Sequence, residues 1–168
     1  LQAHSSVAHH VLFAHDKPLV FVDTAGCGYE EKIERSAVSN PEEAALLFRH
    51  LTRLTAELEG YFQPAIFPTI AIISPYRQQV DALKEQFAAL SALQPWAGHI
   101  SVNTIGSFQG QERDIVYISL TRSNADNKIG FLSEIRRMNV AMTRARKKLV
   151  VIGDSATLSQ FSFYADFI

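Results

Sequence analysis

Thr69-Ile70-Ala71-Ile72-Ile73-Ser74-Pro75-Tyr76-Arg77 is a short apolar run, rich in β-branched residues, that breaks at a Ser-Pro pair. The run is continuous rather than alternating, which suits a strand covered on both faces, as in a parallel sheet. Four more segments read the same way: Leu19 to Val22 ending at Asp23, Ile100 to Thr104, Ile115 to Leu120, and Leu149 to Ile152 ending at Gly153. Helical patterns lie between them. Asn40 is placed to cap a helix with Pro41 at its first position and Glu42 and Glu43 in its first turn. Ala44, Leu47, Phe48, Leu51, Leu54 and Leu58 then repeat at three- and four-residue spacing up to Gly60. A second helix is expected to open at Ser74-Pro75 and to bury Val80, Leu83, Phe87 and Leu90. A third is expected from about Ser133 to Ala145. This alternation predicts an α/β fold, a mostly parallel sheet with helices on both faces.

The 168 residues, 47% of them hydrophobic and 20% charged, with 8 Gly and 6 Pro, fit one ordinary domain and exclude a disordered chain. No repeat, low-complexity tract or linker divides them. Apolar runs such as Leu149 to Ile152 fall far short of the ~18 residues that cross a bilayer, so no membrane partner is expected. Cys27 stands alone, which excludes a disulfide framework and argues against a thiolate zinc site. The chain begins at Leu1 without a basic segment followed by an apolar one. It therefore reads as a soluble cytoplasmic domain (nuclear if eukaryotic) cut from a longer chain, with residues 1–17 a helix or linker leading in from the preceding region.

The net charge of −1 hides an uneven distribution. Glu30 to Glu59 holds seven acids and four bases, whereas Glu134 to Lys148 holds one acid and six bases. A run of this kind forms a solvated helix face or a local phosphate site; whole-chain neutrality argues only against diffuse nucleic-acid binding.

In open parallel sheets ligands sit beyond the carboxyl ends of the strands. Attention therefore falls on Asp23 to Gly26, Ser74 to Arg77, Thr104 to Glu112, Thr121 to Asn124, and Gly153-Asp154. Val22-Asp23-Thr24-Ala25-Gly26 resembles the Mg²⁺-sensing turn of a GTPase. That chemistry needs a phosphate loop, G-x-x-x-x-G-K-[ST], and no such string occurs in the chain. His4, His9, His10 and His15 are not spaced to share a helix face, so no metal site is expected there. Thr104 to Asp114 is denser: Gly110 permits close backbone approach, and Glu112 is suited to accept from a ribose hydroxyl or to orient a water. The third helix would carry Arg136, Arg137, Arg144 and Arg146, with Arg137 and Arg144 two turns apart on one face. Guanidinium groups bind phosphate oxygens in a fork, and an Arg offered to a nucleotide held by another domain speeds phosphoryl transfer by ~10³-fold or more.

Val102-Asn103-Thr104-Ile105-Gly106-Ser107-Phe108-Gln109-Gly110-Gln111-Glu112-Arg113-Asp114, followed by Ser119 to Asn124, resembles motif V of superfamily 1 helicases of the Upf1/Dna2-like branch. Gly130-Phe131-Leu132 with Arg136 to Arg146 resembles motif VI of that branch, and Ile73 to Gln79 is similar to its motif IV. The resemblance spans about Leu19 to Leu158. It implies a RecA-like fold, the second of two such domains, without a Walker A sequence of its own. It further implies that Arg144 is a finger reaching the γ-phosphate of ATP, with Arg146 as helper. Gly110 and Glu112 would face the nucleotide, and Gln109 would couple it to the nucleic acid. Ser74, Pro75, Tyr76 and Thr104 would lie along a single strand of DNA or RNA and contact its backbone more than its bases. Gly106 stands where relatives carry Asp or His, so that side chain's contact is absent.

No Walker A lysine and no Asp-Glu pair for Mg²⁺ and a water belong to these motifs. The resemblance implies that ATP and Mg²⁺ are held mainly by a first RecA-like domain of the same parent chain. The expected function is the C-terminal motor domain of an ATP-dependent helicase, without ATPase activity on its own. The alternative is a non-catalytic nucleic-acid-binding module of helicase ancestry.

Overall fold

The computed structural model describes residues 12–13, 16–108, 110–166 and 168. The five expected strands are β1 (Leu19–Asp23), β4 (Ile70–Ser74), β5 (Ile100–Thr104), β6 (Arg113–Ser119) and β7 (Ala145–Gly153), and all their pairings are parallel. They form one sheet in the order β1-β7-β6-β4-β5. Alternate residues along each strand serve opposite faces. Ile70, Ile72, Ile115, Tyr117, Val150 and Ile152 pack against α1 (Pro41–Leu58) and α2 (Arg77–Ala89). Ala71, Ile73, Val116, Ile118, Leu149 and Val151 meet α3 (Ile135–Met142), α4 (Ser155–Leu158) and α5 (Ser162–Ala165). Both faces are covered, as the continuous apolar runs require, and the α/β reading holds.

Helix α1 starts as its sequence dictates. The Asn40 side chain accepts from the Glu43 N–H at 3.1 Å, Pro41 fills the first position, and Ala44, Leu47, Phe48, Leu51, Leu54 and Leu58 are all buried. Helix α2 begins at Arg77, three residues later than the Ser-Pro break suggests. Ser74 is still paired in the sheet with Thr104, and a proline disfavours helical geometry in the residue before it.

The third helix departs most from expectation. A 3₁₀ turn covers Gly130–Ser133, the helix proper ends at Met142, and Ala145 already belongs to β7. The Thr143 hydroxyl donates to the Val140 carbonyl at 2.8 Å as the chain leaves the helix. Arg144 therefore lies in a turn and Arg146 on a strand, so the shared helix face inferred for Arg137 and Arg144 does not exist. The cause is topological: β7 pairs with β6 from Arg113↔Ala145 onward, and the helix must stop before that pairing begins.

A hairpin of β2 (Lys32–Glu34) and β3 (Ala37–Ser39) was not legible beforehand. Its strands have three residues each, and its turn places Arg35 and Ser36 at φ 49° and 71° without the usual Asn-Gly signal.

Candidate functional site

The candidate residues collect at two edges of the sheet. At the carboxyl edge, Ser74 and Thr104 are level in register, and the Ile105 N–H donates to the Ser74 carbonyl at 3.1 Å. At the amino edge, β6 and β7 start together. Arg113 pairs with Ala145, and its N–H donates to the Arg144 carbonyl at 3.2 Å. Glu112 and Arg144 each lie one residue before this paired position, so their backbones reach the same edge, while Arg144 lines one recess and Glu112 another. Gly110 lies two residues upstream of Glu112, and Arg146 one residue into β7.

Gly110, Glu112, Arg144 and Arg146 thus do not share the carboxyl edge on which sequence reasoning centred attention. In a parallel sheet every connection must run back along the sheet before the next strand starts. The segment 105–112 returns from β5 to β6, and α3 returns toward β7, so the ends of both arrive at the amino edge. Seven residues of β6 put ~20 Å between the two edges.

Around Arg144 a cavity of 460 Å³ lies between the 105–112 segment and α3; its walls include Ile105, Phe108, Arg136, Arg137 and Val140. The Arg144 Nε is buried and has no hydrogen-bond partner among the described residues. Such a donor is costly to leave unmatched, and the exceptions gather at places that take a ligand. Arg146 differs, pairing with Asp114 at 3.3 Å, while the Thr69 N–H donates to the other oxygen of Asp114 at 3.0 Å. Glu112 and Arg146 line a second recess with His99 and Ser101. Gly110 has φ +79°, a left-handed turn that favours glycine. Arg113 braces this turn: its guanidinium donates to the Glu112 carbonyl at 2.8 Å and to Gln111 Oε1 at 2.9 Å, and sits 5.5 Å over the Phe108 ring. Gln109 lies outside the described residues, as do His4, His9, His10 and His15. No group of three or more His, Cys, Asp or Glu among the described residues is arranged to hold a metal.

At the carboxyl edge the structure buries Ser74 and Tyr76, which sequence reasoning had laid along a nucleic-acid strand. The Ser74 hydroxyl shares a hydrogen bond with Thr121 Oγ1 at 3.2 Å and accepts from the Tyr76 N–H at 3.3 Å. The Tyr76 hydroxyl donates to the Ile129 carbonyl at 2.9 Å, and its ring lies between the Arg122 guanidinium and Phe131. These side chains support the edge from beneath. Pro75 and Thr104 are half-buried and present some surface, and the Thr104 hydroxyl donates to Ser107 at 2.9 Å.

Beneath this edge is a polar network whose role sequence analysis did not detect. Glu43 Oε1 accepts from the Ser119 hydroxyl at 2.6 Å and from the Thr121 N–H at 2.8 Å. Gln79 donates to Ser119 Oγ and to the Asn40 carbonyl, and its own Oε1 accepts from the Asn40 N–H at 2.7 Å. Thr121, a β-branched residue, is held at φ +73°, a strained conformation that its four polar contacts over-determine. Burial dominates the Glu43 carboxyl, and although the bonds from Ser119 and Thr121 pull the other way, its pKa is raised to about 7. The one available signal was Glu43 itself, which reads equally well as a solvated first-turn acid.

Asp23, the residue that invited a GTPase reading, is committed to structure. It accepts from the Ala25 N–H, the Ser155 N–H and the Ser155 hydroxyl at 2.9, 3.0 and 2.7 Å. Burial pushes its pKa up, but the hydrogen bonds from Ser155 and Ala25 outweigh that and hold it below the usual value.

Residues 1–156 match the family model described as "AAA domain". The chain is 37% identical over 174 residues to the DNA-binding protein SMUBP-2 of Rattus norvegicus, covering 97% of this chain and 16% of that protein. It is 38% identical over 146 residues to the DNA replication ATP-dependent helicase/nuclease DNA2 of Xenopus laevis, covering 86% of this chain and 13% of the relative. Among solved structures, the C-terminal domain of a possible DNA helicase from Lactobacillus plantarum WCFS1 superposes with a TM-score of 0.52 at 14% identity. That match covers 91% of this chain and 86% of the other, and shows a shared fold.

Proposed function

The chain belongs to the AAA domain family, as a second RecA-like domain of the superfamily 1 Upf1/Dna2-like helicases, and from that premise we propose that it is the C-terminal motor domain of an ATP-dependent DNA or RNA helicase. The observation that carries the reading is Arg144 on the wall of the cavity near the amino edge, its Nε without a partner among the described residues. Arg144 as a whole is only half-buried, so the rest of its guanidinium is placed to meet an anion delivered from outside the domain. Arg144 is the finger that stabilises negative charge developing at the γ-phosphate, a role that cationic groups fill in phosphoryl transfer. Arg146, held by Asp114, helps from the next strand position. Glu112 accepts from a ribose hydroxyl or orients the attacking water, and Gly110 lets the backbone approach.

ATP and Mg²⁺ are held mainly by the first RecA-like domain of the parent chain, and Mg²⁺ neutralises phosphate charge there. A single strand crosses the opposite edge along Pro75 and Thr104, over the buried support of Ser74 and Tyr76. The chain from Thr104 to Glu112 leads from one edge to the other, and Gln109, which the resemblance makes the coupling residue, belongs to it in sequence. Engagement of Arg144 draws the domains together and hydrolysis releases them, so a movement of this segment shifts the grip on the strand.

The test is the ATPase rate of the full-length protein, with and without single-stranded DNA and RNA, beside Arg144→Ala. A polynucleotide is expected to stimulate the wild-type enzyme. The variant should lose ~10³-fold in kcat with its thermal unfolding unchanged. A flat baseline in both proteins would instead favour the non-catalytic binding module.

A further inference from the structure

At the carboxyl edge, one large aromatic ring is displayed rather than buried. Phe131 is 55% exposed, yet the turn that carries it is tightly held. Leu132 beside it is fully buried, the Leu132 N–H donates to the Ile129 carbonyl at 3.0 Å, and the Tyr164 hydroxyl donates to the Leu132 carbonyl. Beneath the Phe131 ring lies Tyr76, at 5.7 Å and tilted by 43°. Arg122 lies 5.7 Å from the Tyr76 ring centre, and Glu31 holds Arg122 at 3.0 and 3.1 Å. A Cβ at Gly130 would come within 2.4 Å of Arg122 Nη1 and 2.9 Å of the Tyr76 hydroxyl, so the turn rests directly on this pair. The ring is therefore the exposed end of a chain of contacts that runs from Glu31 through Arg122 and Tyr76 to Phe131.

Exposed cations lie close to it in sequence. Lys128, Arg136 and Arg137 flank it in sequence and are exposed, Arg77 follows Tyr76, and the acids nearby in sequence are Asp126 and Glu134, the latter paired with Arg137 at 3.3 Å. An exposed aromatic face on a segment rich in exposed cations fits an unstacked base on a phosphate backbone. Every base has a π-face, so such stacking holds a strand without reading its sequence.

We infer that Phe131 is a base-stacking platform for single-stranded nucleic acid. The inference rests on the reading of this edge as a strand path given above, and adds a base contact to one otherwise made to phosphate and sugar.

The experiment measures binding of the full-length protein to an oligothymidylate and an oligouridylate, and to abasic strands of the same length, without nucleotide. Phe131→Ala and Phe131→Trp are compared with the wild type. Phe131→Ala should weaken binding of the base-bearing strands roughly tenfold and leave abasic binding unchanged, whereas Phe131→Trp should retain wild-type affinity. Unchanged affinity of Phe131→Ala, or an equal loss on both kinds of strand, overturns the inference while leaving the strand path standing. A wild-type protein that binds neither oligonucleotide overturns the strand path itself, and the platform with it.

Discussion

Glu43 shows how far one side chain can carry the energetics of a site. Its carboxyl sits under the ends of β4 and β6 at a pKa of about 7, against an ordinary value of 4.5, with burial as the main cause. The folded state therefore binds the proton more tightly than the unfolded chain does. The stabilisation linked to that proton is complete below pH 4.5 and is lost as pH rises through about 7. The full difference is on the order of 3 kcal/mol. Glu43→Gln keeps an acceptor for Ser119 and Thr121 but cannot ionise. Urea unfolding from pH 5 to 8 should show wild-type stability falling relative to Glu43→Gln across that range. Parallel curves would mean that the carboxyl does not titrate there.

At the scale of the element, the β2–β3 hairpin raises the question of what holds so short a structure in place. Ile33 is 60% exposed and the β2 strand contributes nothing to the core, although Val38 of β3 does. The anchor is Glu31, just before β2. Its carboxylate accepts from Arg122 Nε, the Ser123 N–H and Asn124 Nδ2, and its own N–H donates to the Ser123 carbonyl. Both charged partners are almost fully buried. Removing one member of such a pair strands the other. Glu31→Ala should destabilise the domain by about 3 kcal/mol and speed hydrogen exchange in 32–39. A loss below about 1 kcal/mol would show that Arg122 finds another partner or water. The same element logic explains α3: its presence was legible, but its end was set by where β7 had to begin.

At the scale of the molecule, the sheet holds the two candidate sites apart by its own length, and the chain from Thr104 to Glu112 leads from one edge to the other. A basic amino edge around Arg144 and a braced carboxyl edge around Tyr76 suit a domain that works against a second one. The sequence lacks the phosphate loop that would hold a nucleotide within the chain. The chain by itself is therefore expected to release no phosphate from ATP over multiple turnovers, with or without a polynucleotide. Steady-state phosphate release above a buffer blank would overturn the two-domain reading.

The amino-acid sequence by itself determined the five strands, the cap and buried stripe of α1, the α/β class and the order of the motif segments. Each of these is written in local spacing: a β-branched run, an Asn-Pro start, a three-four repeat. Only the tertiary structure decided which edge each motif reaches, that Ser74, Tyr76 and Glu43 are buried, that Arg144 leaves the helix, and that Phe131 stays exposed. Those properties depend on register between segments far apart in the chain, such as Arg113 against Ala145 or Glu31 against Arg122. Local spacing reports which way a residue faces along its own element. What lies on that side is set by packing between elements, and there the raised pKa of Glu43 and the unpartnered Nε of Arg144 acquire their meaning.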